Sequence, residues 1–166
     1  GLQGGRKVVE EKVEKSLKSG LPIVGIWCQD WVGRRKTFFG MQLMWDWRFD
    51  ETLYPDYKEF IDNLAVRGIR FLGYINPFLA IEGELYREAS KKGYTVKNQK
   101  GEDYLVTITP FPAAMVDLTN PQAYVWIKEV IKDRMIGAGL SGWMADFGEY
   151  LPTDAVLFSG EDAAKV

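Results

Sequence analysis

Apolar residues recur along this chain at two different periods, and the alternation between the two periods predicts its elements. In residues 6–19, Val9, Val13 and Leu17 return at intervals of four with charges between them. That spacing puts them on one face of a helix. Gly20 stands where such a helix would stop. Pro22-Ile23-Val24-Gly25-Ile26-Trp27 is then continuously apolar, as a short buried strand is. It gives way to the polar Cys28-Gln29-Asp30 beside Trp31. Residues 57–66 predict a second helix, closed by Arg67-Gly68, and residues 69–75 a second strand that ends in Asn76-Pro77. Residues 84–92 read as a helix stopped by Gly93. Residues 97–109 read as a polar excursion with a hairpin around Lys100-Gly101-Glu102, and 113–118 as a further short strand ending in an acid. Asn120-Pro121 has the composition of a helix start, with an asparagine cap and a proline in the first turn. That helix runs to about Ile136, and a last apolar stretch carries the chain into Asp146.

Helices alternating with buried strands predict a parallel sheet built from βα repeats. The strand ends carry Gln29-Asp30, Asn76, Asp117 and Asp146, so polar groups collect along one rim. In α/β folds the ligand crevice lies at that rim. The pattern is that of a (β/α)8 barrel, a TIM barrel, but a closed one takes about 250 residues. With 166 residues, the expected fold class is α/β: a partial TIM (β/α)8 barrel, roughly its first half. Residues 1–166 are expected to form that partial catalytic domain with no second domain. Residues 32–54 form a long connection rich in Trp, Phe and Arg, and connections of that length tend to be functional.

Composition narrows the chemistry. Apolar residues make up 46% of the chain and aromatics 14%, enough for a packed core. A net charge of -2 argues against nucleic acid as a partner. No apolar run is long enough for a membrane span. One cysteine, Cys28, fits a cytoplasmic location. The absence of histidine removes Ser-His-Asp and Cys-His triads and argues against a metal site. No cofactor is expected, so chemistry rests on carboxylates, amides, aromatics and cations.

Several side chains then stand out, each with two readings. Asp146 and Glu149 share one turn, and glycoside cleavage with retention uses two carboxyl groups about 5–5.5 Å apart. Asp146 could equally cap a following helix or pair with an arginine. Gln29-Asp30-Trp31 could grip a polar ring or simply cover a sheet edge. Asn76 and Asp117 could be turn formers. Trp45-Asp46-Trp47 and Phe38-Phe39 could floor a sugar site or form a satellite core under the loop. Arg34-Arg35-Lys36 could attract an anion or be solvated. The Gly4-Gly5 pair lacks the rest of a phosphate loop.

The segment Trp143-Met144-Ala145-Asp146-Phe147-Gly148-Glu149-Tyr150-Leu151-Pro152 resembles the nucleophile segment of glycoside hydrolase family 31, in particular its sulfoquinovosidase branch. Gly1-Leu2-Gln3-Gly4-Gly5, Gly25-Ile26-Trp27-Cys28-Gln29-Asp30-Trp31, Met44-Trp45-Asp46-Trp47, Tyr74-Ile75-Asn76-Pro77 and Val116-Asp117-Leu118-Thr119-Asn120-Pro121 agree in order and spacing. The resemblance implies a retaining α-glycosidase in which Asp146 is the nucleophile and forms a covalent glycosyl-enzyme. It implies a carbohydrate substrate, an α-sulfoquinovoside, with Gln3, Gln29 and Trp45 around the sulfosugar head and Asp30 near the sugar hydroxyls. The branch has an arginine where this chain has Gln42, which leaves a neutral α-glucoside as the alternative substrate. A non-catalytic sugar-binding or scaffold fragment is the alternative of another class. The family's acid/base carboxyl lies on a later strand, so the 166-residue chain alone is expected to lack normal turnover. The resemblance points to no particular oligomeric state.

Overall fold

The computed structural model of the chain describes residues 1–107 and 111–166 in full, together with the backbone of 108 and 109. Helix α1 (Gly5–Lys18) buries Val9 and Val13 and places Lys15 and Lys18 in its last turn, where the helix carbonyls favour cations. Gly20 follows with φ 81, the left-handed conformation that ends helices without a Cβ penalty. Strand β1 (Gly25–Trp27) comes next, then the hairpin of β2 (Arg34–Thr37) and β3 (Gly40–Leu43). Helix α2 (Tyr57–Val66) leads into β4 (Arg70–Ile75). The excursion consists of β5 (Phe78–Ala80), α3 (Glu84–Lys92), β6 (Leu105–Thr109) and β7 (Phe111–Met115). Helix α4 (Pro121–Ile131), lengthened by a π-type turn over Lys132–Ile136, leads to β8 (Gly142–Ala145). Asn120 caps α4 as expected, its side chain accepting from the backbone N–H of Gln122 at 2.9 Å.

Strands β1, β4 and β8 form a parallel sheet in the order β1-β4-β8. Ile26 pairs with Phe71, and Tyr74 with Met144. The N-terminal residues extend this sheet: Leu2 bridges Cys28 in parallel, donating its N–H to the Trp27 carbonyl at 2.6 Å. Four parallel chain positions thus alternate with helices, an open portion of a barrel. One face of the sheet packs on α2, where Phe71 meets Phe60 edge-on at 5.8 Å. Gly73 lets two other groups close on β4: a Cβ there would stand 2.5 Å from Leu140 and 3.1 Å from the Trp31 indole nitrogen.

The expected strand over 113–118 is differently placed. It is β7, antiparallel to both β5 and β6 in a separate three-stranded sheet. A parallel crossover needs a dozen or more residues. β7 begins two positions after β6 ends, too close for such a crossover. The fourth parallel position is supplied by Leu2 instead. The tight loop expected at Lys100-Gly101-Glu102 is present, bracketed by the antiparallel bridge between Lys97 and Asp103.

Candidate active site

Asp146 leaves β8 at the rim, its N–H bonded to the Ile75 carbonyl at 3.0 Å. Side chains along a strand alternate between faces. Tyr74 pairs with Met144, and Asp146 lies two residues beyond Met144, so Tyr74 and Asp146 share a face. The Tyr74 hydroxyl donates to Asp146 Oδ2 at 3.0 Å. Burial, and then the neighbouring Asp146, push the Tyr74 hydroxyl above its ordinary range, with Asn76 opposing. It stays a proton donor to the carboxylate. Asn76 reaches Tyr74 with its amide at 3.4 Å and accepts from the Phe78 N–H at 3.0 Å. Among the described residues no cation pairs with Asp146. Phe147 follows at φ 58, a left-handed conformation unusual for a non-glycine residue. It turns the chain into a single 3-10 turn over Gly148–Tyr150, leaving Glu149 exposed.

A groove of about 440 Å³ opens beside Asp146 and Glu149. Its apolar wall includes Ile75, Ala145, Ile127 and Ile131. Ile75 and Ala145 alternate with Tyr74 and Met144, so this wall belongs to the sheet face toward α4. The polar side chains that line it are Asn76, Asp146 and Glu149.

Gln3 and Gln29 come together because Leu2 lies in register beside Cys28. Gln3 Nε2 donates to Gln29 Oε1 at 3.0 Å at the exposed rim. Gln42 sits on β3 directly opposite Arg35 of β2. Trp45 is 3% exposed and packs edge-on against Phe111 at 4.9 Å, with Phe147 at 6.2 Å. Trp45 and Trp47 therefore form the aromatic core beneath the loop, while Phe38 and Phe39 stand exposed at the tip of the β2–β3 hairpin. Asp46 caps α3 through the Leu85 N–H at 2.9 Å.

Asp30 was expected near the sugar hydroxyls. Its side chain is fully buried. It accepts from the Tyr54 hydroxyl at 2.6 Å and from the Gly4 N–H at 2.8 Å, and pairs with Arg34 at 3.4 Å. With these partners it ties the Gln3 strand and the Arg34 hairpin to Tyr54. Asp117 is a turn former: it accepts from the Thr119 N–H at 3.0 Å and holds the Phe158 N–H at 2.7 Å. The basic run divides, with Arg34 and Arg35 engaged in ion pairs and Lys36 exposed.

Tyr74 is the site residue that sequence reasoning did not single out. Its signal in the sequence is its place in the segment Tyr74-Ile75-Asn76-Pro77 at a strand end, and strand pairing is needed to show that it faces Asp146.

The rim thus carries Asp146, held by the Tyr74 hydroxyl, on an open portion of a (β/α)8 barrel. The chain belongs to glycosyl hydrolase family 31, whose TIM-barrel domain matches residues 3–165. Sulfoquinovosidase of Escherichia coli (strain K12) is 47% identical over 163 residues, which cover 98% of this chain and 24% of that protein. Sulfoquinovosidase of Agrobacterium fabrum is 47% identical over 153 residues, covering 92% of this chain and 23% of the relative. A solved sulfoquinovosidase from E. rectale, in complex with an aza-sugar inhibitor, superposes with a TM-score of 0.92 at 48% identity, covering 97% of this chain and 24% of that one. The chain thus spans about a quarter of the length of these relatives. No helix among the described residues is long and apolar enough to cross a membrane.

Proposed function

We propose that this chain is part of the catalytic barrel of a retaining α-glycosidase that hydrolyses α-sulfoquinovosides. The observation that carries the reading is Asp146: a rim carboxylate, unpaired with any described cation and held by the Tyr74 hydroxyl at 3.0 Å. Similarity of 47–48% to sulfoquinovosidases, spread over nearly the whole chain, supports the substrate class.

In this reading one Asp146 oxygen attacks the anomeric carbon as the bond to the leaving-group oxygen breaks. A carboxylic acid from another part of the parent protein delivers the proton to that oxygen. Water, deprotonated by the same group, then displaces Asp146 and restores the α configuration. The Tyr74 hydroxyl fixes the carboxylate's orientation, which matters because misplacement by about 1 Å can cost about 100-fold in rate. Gln3 and Gln29, paired at the exposed rim, serve the sugar head, and the buried free thiol of Cys28 supports a cytoplasmic setting. Gln42 favours a second reading, an α-glucosidase for neutral substrates, since an amide gives an oxyanion a weaker contact than a guanidinium does.

A fluorinated glycosyl inhibitor tests the assignment. Incubated with the full-length protein, it should attach to Asp146, found by peptide mass mapping. An adduct on another carboxylate, or reversible binding with no adduct, overturns it. Parallel assays with aryl α-sulfoquinovoside and aryl α-glucoside separate the two substrate readings.

A further inference from the structure

The Asp146 carboxylate has two oxygens, and their surroundings differ. The Tyr74 hydroxyl donates to Oδ2 at 3.0 Å. Among the described residues no group donates to Oδ1. A phenolic hydroxyl carries one proton that can rotate to suit its neighbours. Asn76 aims it. The Asn76 Nδ2 group reaches the Tyr74 oxygen at 3.4 Å, and its Oδ1 accepts from the Phe78 N–H at 3.0 Å. The Phe78 contact decides which way round the amide lies. A backbone N–H needs an acceptor, so the amide oxygen faces Phe78 and the nitrogen faces Tyr74. An N–H directed at the phenolic oxygen takes one of its lone pairs, and the hydroxyl proton is left to point at Asp146. Tyr74 is 1% exposed and Asn76 4%, so bulk water does not compete for either contact. Asn76 and Asp146 both border the groove of about 440 Å³.

We propose that Asn76 and Tyr74 together select the attacking oxygen of Asp146: the tyrosine holds Oδ2 throughout the reaction, and Oδ1 bonds to the anomeric carbon. In the first step that bond forms as the bond to the leaving-group oxygen breaks, and Oδ2 becomes the carbonyl oxygen of the ester. In the second step water bonds to the carbon and the electron pair of the ester bond returns to Oδ1. The acid/base carboxyl of the parent protein gives a proton to the leaving oxygen and regains one from the water. Asn76 is a positioning residue that acts through Tyr74 alone. The inference rests on the glycosidase reading above and holds for either substrate.

Trapping the glycosyl-enzyme tests it. A crystal structure of the full-length protein after reaction with the fluorinated glycosyl inhibitor should show the ester on the Asp146 oxygen that Tyr74 leaves free. An ester on the oxygen facing Tyr74 overturns the inference. Inactivation kinetics then separate the two residues. Tyr74→Phe should lower the rate constant at saturating inhibitor about 10- to 100-fold, the range of one hydrogen bond to a charged group. The inhibitor concentration for half-maximal rate should stay nearly constant. Asn76→Ser keeps an acceptor two residues ahead of Phe78 but is too short to reach Tyr74. It should cost about 2- to 10-fold alone, as one neutral hydrogen bond does, and nothing further when combined with Tyr74→Phe. A merely structural Asn76 would cost the same in both backgrounds. Asn76→Asp keeps the shape but offers an oxygen where the N–H was, drawing the phenolic proton away from Asp146, and should cost more than Asn76→Ser. If Asp146 is labelled but Tyr74→Phe reacts at the wild-type rate, or the two losses add, the inference fails while the reading of the function stands. If no adduct forms on Asp146, both fall. Should Tyr74→Phe not fold, the wild-type adduct and Asn76→Ser decide the matter: an ester on the held oxygen, or an unchanged rate in Asn76→Ser, would overturn the selection.

Discussion

Removing the Asp30 carboxylate should unseat the rim before it changes any contact with sugar. The structure gives this side chain three partners: Tyr54 at 2.6 Å, Gly4 at 2.8 Å and Arg34 at 3.4 Å. Asp30→Ala leaves a buried hydroxyl and a backbone N–H without an acceptor, at about 1–3 kcal/mol each. It also strips Arg34 of its counter-ion, and breaking a buried pair from one side costs about 3–5 kcal/mol. These costs overlap, because a single carboxylate satisfies all three groups, so a total of about 4 kcal/mol is expected. Asp30→Asn keeps the shape and one acceptor oxygen and should lose about half of that. With an m-value near 2 kcal/mol/M, the urea midpoint should fall by about 2 M for alanine and about 1 M for asparagine. Tryptophan fluorescence reports the transition, since Trp31 and Trp47 are fully buried. A midpoint shifted by less than about 0.3 M, which leaves well under 1 kcal/mol of lost stability at such an m-value, would refute the reasoning if KM rose sharply at the same time. Asp30 would then act on the ligand directly.

Two other groups make predictions of a similar kind. Asp103 accepts from Tyr86 at 3.0 Å and also from Ser90, Thr95 and Lys97. Burial opposes its charge, but those four donors prevail and bring its pKa down from 3.8 to about 2. The folded-state value lies below the unfolded one, so this carboxylate's stabilisation is complete above 3.8 and is lost as pH falls toward about 2. Asp103→Asn should lower stability at neutral pH and flatten the acid limb of a stability–pH curve measured by urea unfolding; an unchanged acid limb would remove Asp103 from that role. Burial, opposed in part by Tyr54, pushes the Cys28 thiol up to about 12. It should therefore resist a thiol reagent at pH 8 until the protein is unfolded in urea. Rapid labelling of the native chain would contradict its burial.

What the sequence showed and what it concealed divide along a physical line. The period of apolar residues reports which face of an element is buried, so α1 and α4 were legible from Val9, Val13 and the Asn120-Pro121 start. Asp146 was legible for a related reason: a short apolar run ends there in an acid and a glycine-containing turn, the pattern of a strand reaching a rim. Pairing leaves no such trace. Residues 113–118 and residues 142–145 have similar apolar content, yet one stretch reverses against β6 and the other crosses over in parallel. The length of chain before each decides this, not its composition. Burial of charge is equally silent. Asp30 reads as a polar loop residue until Leu2 is seen to lie beside Cys28, which brings Gly4 onto its carboxylate.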